Sequence, residues 1–399
     1  MKEGWEYKKL KDIATFTRGL TYSKNDEAEI SNNIVLRSNN VDLSTGKLNF
    51  DELKYLKSEF SIPEEKRVKK GSLLMCMSNG SKIHLGKVAL INEDYPYAFG
   101  GFMALVTPNE ELNPQFFHYS LSSPEYKEFI KKLSEGANIN NIKVKELELF
   151  TIPIPPLSEQ QSIVDYLDSA FAKIDDMKAN AEKALGEAKA LFQASLKEML
   201  EPKDGWEEKT LGELATDMYR GSGIKRDQIT KEGTPCVRYG EIYTTYNFGF
   251  DKCVSYTKEE YISSPKYFEH GDLLFAITGE SVEDIGKTIA YLGNEKCLCG
   301  GDIICMKHKQ NPKYLAYALS TPDAVKQKGI GKTKLKVVHT NAPSIKAIRI
   351  PVPTFEEQQS IVATLDSLKS KVDTLQANYA KISQECDALK QAILRQVFE

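Results

Sequence analysis

Ile152-Pro153-Ile154-Pro155, followed after three intervening residues by Glu159-Gln160-Gln161-Ser162-Ile163-Val164, occurs again as Ile350-Pro351-Val352-Pro353 with Glu357-Gln358-Gln359-Ser360-Ile361-Val362. Self-similarity on this scale decides architecture before any local reading does. Outward from this pair the register holds. Gly4-Trp5-Glu6 returns as Gly205-Trp206-Glu207, and Leu10, Ala14 and Thr15 return as Leu211, Ala215 and Thr216. Gly71-Ser72-Leu73-Leu74 matches Gly271-Asp272-Leu273-Leu274, Gly86-Lys87 matches Gly286-Lys287, and Gly100-Gly101 matches Gly300-Gly301. Tyr119-Ser120-Leu121-Ser122-Ser123-Pro124 matches Tyr317-Ala318-Leu319-Ser320-Thr321-Pro322. A period of this length is too long for a solenoid and reads as a duplicated domain pair. Each half is a mixed globular block ending in a proline-punctuated entry into a long helix. Apolar runs such as Ser72 to Met77 and Asp272 to Ile277 read as strands separated by glycine-rich turns.

Ser158 with Gln161, and Thr354 with Glu357, have capping-box spacing and place the helix starts. From there an apolar seam alternates in steps of four and three. It runs Ile163, Leu167, Ala170, Ile174, Met177, Ala181, Ala184, Ala188 and Leu191 in the first helix. In the second it runs Ile361, Leu365, Leu368, Val372, Leu375, Tyr379, Ile382, Cys386, Leu389 and Ile393. Such a seam predicts a coiled coil. Only Glu201-Pro202-Lys203-Asp204 separates the first helix from the second block, so the second helix buries its seam by running back along the first. The fold class expected is α+β. Two mixed α/β blocks are joined by two long helices in an antiparallel coiled coil, with internal two-fold pseudo-symmetry.

Composition excludes several classes. With 41% hydrophobic and 27% charged residues the chain is not a disordered one. It has no apolar run of membrane-spanning length, and its start, Met1-Lys2-Glu3, is too charged for a secretory signal, so a cytoplasmic location is expected. Seven scattered cysteines suit reduced thiols. A net charge of −3 excludes a polybasic protein while allowing localised basic groups.

The motifs of catalysis are largely missing. Asn113-Pro114-Gln115-Phe116 and Asn311-Pro312-Lys313-Tyr314 lack the second proline of the Asn-Pro-Pro-Tyr/Phe motif of amino-methyltransferases and read as helix starts. There is no nucleotide-binding G-x-x-x-x-G-K-[ST] loop. His84, His118, His270, His308 and His339 fall at no triad or zinc spacing, and Cys297-x-Cys299 with Cys305 lacks a second well-spaced pair. No catalytic residue and no metal ligand is assigned.

Matched polar loops remain. Arg37-Ser38-Asn39-Asn40 corresponds to Arg238-Tyr239-Gly240-Glu241, and arginine and asparagine are the side chains that read guanine and adenine edges. A solvated loop, or an arginine paired to a nearby carboxylate, is the competing reading. Ser78, Asn79 and Lys82 correspond to a loop carrying Thr278 and Ser281; either can approach a phosphate or base, or be an ordinary turn. Lys332, Lys334 and Lys336 would share one face of a strand, suited to phosphates or to guarding a sheet edge.

The Gly-Trp start, the Gly-Asp/Ser-Leu-Leu strand, the Ile-Pro-[IV]-Pro exit and the Glu-Gln-Gln-x-Ile-Val helix start, each occurring twice, resemble the specificity subunit of a Type I restriction-modification system over essentially the whole chain. The resemblance implies target recognition domains at residues 1–155 and 205–353 and spacer helices at 156–200 and 354–398. It implies that each domain reads one half of a bipartite double-stranded DNA target. The helices space the domains and dock two modification (methyltransferase) subunits, and restriction (translocase/nuclease) subunits join the complex. S-adenosylmethionine, ATP and magnesium belong to those partners, and this chain binds no cofactor. Competing expectations are the specificity subunit of a related Type II-like methylating and cleaving system, and a coiled-coil protein-interaction scaffold.

Overall fold

In a computed structural model that describes residues 4–135, 141–281, 284–330 and 338–398, the chain divides into two units. One comprises residues 1–181 and 379–399, the other 182–378. Each unit therefore holds one globular block, the first part of the helix that leaves it and the last part of the other long helix. The helices, Leu157–Leu200 and Phe355–Phe398, are unbroken over 44 residues each.

In the first unit a four-stranded antiparallel sheet runs in the order Ala14–Arg18, Met103–Pro108, Leu73–Cys76, Val88–Leu90. A second sheet orders Glu27–Ala28, Lys54–Leu56, Asn33–Leu36 and Ala98–Phe99, the last pair parallel. The second unit repeats both sheets with five strands each. Leu73–Cys76 and Leu273–Ala276 are central strands buried along their whole length, which is why both read as continuous apolar runs.

The repeated motifs meet in space. The Ile-Pro-Ile strand Thr151–Ile154 pairs antiparallel with Glu6–Lys9 behind Gly4-Trp5, and Arg349–Val352 pairs likewise with Glu207–Thr210. The Trp5 indole donates to Glu159 at 2.9 Å, and Trp206 to Glu357 at 3.5 Å. Gln160 is wholly buried; its amide donates to the carbonyls of Glu111 (2.8 Å) and Pro155 (2.9 Å) and accepts from the Asn113 N–H (2.8 Å). Gln358 does the same with Gln310 Oε1, the Pro353 carbonyl and the Asn311 N–H. Asn113 and Asn311 cap the helices Pro114–Ser120 and Pro312–Ala318. Tyr119 then donates to Asp168, and Tyr317 to Asp366 at 2.6 Å, fixing each long helix to its block. The doubled signature is thus a clamp between block and helix.

Two helix expectations need correction. The second helix has its capping box, with Thr354 and Glu357 exchanging bonds at 2.8 to 3.3 Å. The first does not, because Pro156 occupies the equivalent position and Ser158 lies inside the helix, where its carbonyl accepts from the Ser162 hydroxyl at 3.0 Å. The first seam is also displaced on alternate turns. Leu167 and Ile174 are buried and Ala181 and Ala188 half-buried, but the other half of the packed row is Val164, Phe171, Lys178, Leu185 and Phe192. Met177 and Leu191, expected in the seam, are 59% and 58% exposed, and Ile163 is half-buried. Apolar side chains flank the shared row on both sides, with Lys178 the exception in one, so steps of three and four run through either; Leu185 and Phe192 are buried and Phe171 half-buried on the side that packs. In the second helix Ile361, Leu365, Val372 and Cys386 are buried and Leu368, Leu375 and Ile382 partly so, but Leu389 is 47% exposed. Lys390 packs there instead, its ammonium over the Phe171 ring and paired with Asp175.

The helix ends also serve the blocks. Val164, Leu167, Leu394 and Phe398 belong to the core of the first unit with Leu10, Phe116 and Leu147. Phe192, Leu196, Ile361 and Leu365 belong to that of the second with Leu211, Tyr314 and Ile348. No helix among the described residues is long and apolar enough to cross a membrane.

Candidate nucleic-acid interface

Three strands of the first block, Asn33–Leu36, Leu73–Cys76 and Ala98–Phe99, run out into neighbouring loops. The Gly100 N–H donates to the Leu36 carbonyl at 2.9 Å, and the Phe102 carbonyl accepts from the N–H groups of Met77 (2.9 Å) and Ser78 (3.1 Å). Asn79 Nδ2 donates to Ser38 Oγ at 2.8 Å. The strand that carries Arg18 comes so close that a Cβ on Gly19 would lie 2.0 Å from the Gly100 carbonyl oxygen. The second block is built alike: the Gly300 N–H donates to Val237 O at 2.9 Å and the Ile277 N–H to Asp302 O at 3.0 Å. A Cβ on Gly221 would lie 2.2 Å from Gly300 O. Glycine is the residue that allows such backbone contact.

The structure brings together Arg37, Ser38, Asn39, Ser78 and Asn79, but their duties differ. Arg37 precedes the short helix Ser38–Asn40; its backbone N–H donates to Asn40 Oδ1 at 2.8 Å, and its buried Nε has no hydrogen-bond partner among the described residues. Asn40 is a correction: it is 1% exposed, and its amide is spent on Arg37 and on the carbonyls of Asn49 and Glu52, both at 2.9 Å. It shapes the loop and does not face a ligand. Asn39 is exposed and leans on Glu52 at 3.3 Å. Lys82 sends its ammonium to the Ser134 carbonyl at 3.0 Å.

In the second block Arg238 holds the same place before the helix Tyr239–Thr244, with Glu241 where the first block has Asn40. Glu241 Oε1 accepts from Arg238 Nε (3.1 Å), Arg238 Nη2 (3.0 Å) and Ser255 Oγ (2.6 Å). The arginine is thus paired with a neighbouring carboxylate while one side of it lines a cavity of about 840 Å³. Arg220, Arg226, Tyr239, Gly300, Gly301 and Asp302 line the same cavity. Arg220 pairs with Asp302 at 2.8 Å. Among the described lining residues three arginines stand against two carboxylates, and each carboxylate is paired to one of them, which leaves Arg226 as the surplus positive charge.

Thr278 is a second correction. It is buried in a two-residue ladder with Val338–His339, its hydroxyl 3.1 Å from His339 Nδ1. Ser281 is half-buried and occupied with Asp284, 2.8 Å away. Lys332, Lys334 and Lys336 lie outside the described residues. Sequence reasoning missed Arg18, Arg220, Arg226 and Phe102. For the first two a signal existed, because Arg-Gly occurs at both Arg18-Gly19 and Arg220-Gly221, displaced by one residue from the register that matches Thr15 with Thr216 through the irregularity between Ala215 and Asp217. Among the described residues no three His, Cys, Asp or Glu side chains converge as metal ligands would.

Comparison with known proteins agrees with this duplicated plan. The family model for the Type I restriction modification DNA specificity domain matches residues 2–185 and again 203–384. The StySPI specificity subunit of Salmonella potsdam is 25% identical over the whole chain and 89% of its own length. The EcoKI specificity subunit of Escherichia coli K12 is 26% identical with the same coverage. The fold is shared with a chain from a structural study of type I R-M assembly (TM-score 0.76, 19% identity, 100% of this chain and 98% of that one). It is shared also with the HsdS subunit of Thermoanaerobacter tengcongensis (TM-score 0.57, 20% identity, 100% and 97%). With both of its halves matched, this chain belongs to the Type I restriction modification DNA specificity domain family.

Proposed function

We propose that this chain is the DNA sequence-recognition subunit of a Type I restriction-modification complex, each globular block reading one half of a bipartite target. The observation that carries this reading is one loop frame occurring twice with different side chains mounted on it. Beside the shared arginines Arg18 and Arg220, and Arg37 and Arg238, the first block carries Ser38, Asn79 and Phe102 and the second carries Tyr239 and Asp302. Hydrogen-bonding side chains on a rigid frame are what base-edge readout demands, and unlike sets read unlike half-sites.

The chain performs no catalysis itself. Methyltransferase subunits dock on the long helices, where the apolar row through Met177 and Leu191 stays exposed on a helix whose neighbouring row is buried. S-adenosylmethionine belongs to those partners, and ATP and magnesium to the restriction subunits; the assembly works in the cytoplasm. The test is binding by the chain assembled with its methyltransferase subunits. Affinity for the cognate duplex should fall steeply and linearly in log–log form as salt rises, and scrambling either half-site alone should weaken it. Affinity indifferent to the sequence of both halves would overturn the proposal.

A further inference from the structure

Phe102 is 72% exposed, yet its backbone is held firmly. Its carbonyl carries two hydrogen bonds, from Met77 and Ser78, and the Gly100–Gly101 turn before it is tied to Leu36. A large aromatic side chain on a fixed mount exposes apolar area in a form suited to binding, because little conformational freedom remains to be lost. Polar and cationic side chains share its frame: Asn79 bonds Ser38, and Ser38 follows Arg37. In the second block the same mount carries Asp302, whose carboxylate holds Arg220. The two blocks thus offer opposite chemistry from one position, apolar in the first and charged in the second.

Building on the reading above, in which each block reads DNA, we infer that Phe102 is a specificity-determining residue of the first block and recognises the C5-methyl group of a thymine. In the major groove the thymine methyl is the one apolar feature on a base edge. The donors and acceptors of the other base edges would be left unpaired by a phenyl ring, at a cost in binding, and the C5–H of cytosine lacks the methyl that the ring would cover. The polar side chains on the same frame supply the flanking hydrogen bonds.

The experiment uses the full chain assembled with its methyltransferase subunits, and duplexes carrying its target as mapped by methylation sequencing. Each thymine of the first half-site is replaced in turn by deoxyuridine, which removes only the methyl. One replacement should weaken binding by the native complex about four-fold, the weight of a single buried methyl group. The same replacement should have no effect on the Phe102→Ala complex, which should itself bind the unmodified target less tightly. Phe102→Asp, a residue the second block tolerates at this mount, should behave like the alanine variant. Retained discrimination at the second half-site shows that either variant is folded. A first half-site without thymine, or deoxyuridine replacements that cost the native and variant complexes equally, overturns the inference. If Arg37→Ala weakens first-half recognition while Phe102→Ala does not, this inference fails and DNA reading by the block stands. If no first-block change and no first-half base matters, the underlying reading itself fails.

Discussion

Replacing Lys328 by isoleucine should stabilise the second block, and by an amount that depends on pH. In each half a helix crosses a left-handed glycine, Ile130 lying over Gly86 and Lys328 over Gly286, both glycines at φ 72°. Lys328 is buried; its amine donates to the Leu319 carbonyl at 2.7 Å and lies 3.3 Å from Thr288 Oγ1, and among the described residues no carboxylate pairs with it. Burial lowers its pKa from 10.5 to about 7. Between those values the unfolded chain binds a proton that the folded chain has released. Stability therefore rises with pH across the window, by at most about 1.4 kcal/mol per unit. Below pH 7 the full penalty applies, and above 10.5 it is gone. At pH 7 the penalty is roughly 5 kcal/mol. Lys328→Ile removes it but strands the Leu319 carbonyl, which costs about 1–3 kcal/mol, so a net gain of about 2–4 kcal/mol is expected. Denaturant titration at pH 7 and pH 9.5, followed by hydrogen exchange in peptides of residues 286–330, gives the difference between native and variant chains, in which all other titrating groups cancel. The gain should shrink by about 2–3 kcal/mol between the two pH values. A variant less stable at pH 7, or a gain that does not change with pH, would refute the reasoning.

Gln160→Leu orphans two carbonyls and one N–H at the clamp. It should lower the stability of the first block by about 2–4 kcal/mol, read as faster hydrogen exchange in Pro114–Ser120, while the second block is unaffected. Arg238→Ala should weaken recognition at one or two base pairs of a single half-site by about 1–3 kcal/mol; equal loss on every duplex would assign the arginine to a phosphate. It should also leave Glu241 buried with one partner fewer, so thermal unfolding of the variant should be measured alongside. Gly186→Ala meets nothing within 4 Å and should stabilise the first long helix by about 1 kcal/mol, seen as a raised denaturant midpoint.

Much of the architecture was legible because the repeated residues do things that few others can. Gly86 and Gly286 adopt a backbone conformation that side chains disfavour, and the buried Gln160 and Gln358 each bond three polar groups. The first helix seam was legible only on alternate turns, since two apolar rows flank Leu167 and Ile174 and spacing alone cannot say which one packs. The loops at Arg37 and Arg238 were located, but side-chain type does not reveal which hydrogen bonds are already spent. Asn40 and Thr278 proved to be buried and engaged. For Arg238 the competing reading, an arginine paired to a nearby carboxylate, describes its contact with Glu241. Phe102 carried no polar signal, and its exposure follows from the turn that precedes it.

Methylation-aware sequencing of DNA modified by this chain together with its methyltransferase subunits addresses the central claim most directly. Two short defined half-sites separated by a gap of fixed length and unspecified sequence are expected, with Arg238→Ala relaxing one half and leaving the other intact. A single uninterrupted motif, or relaxation of both halves by that one substitution, would contradict the assignment of one half-site to each block.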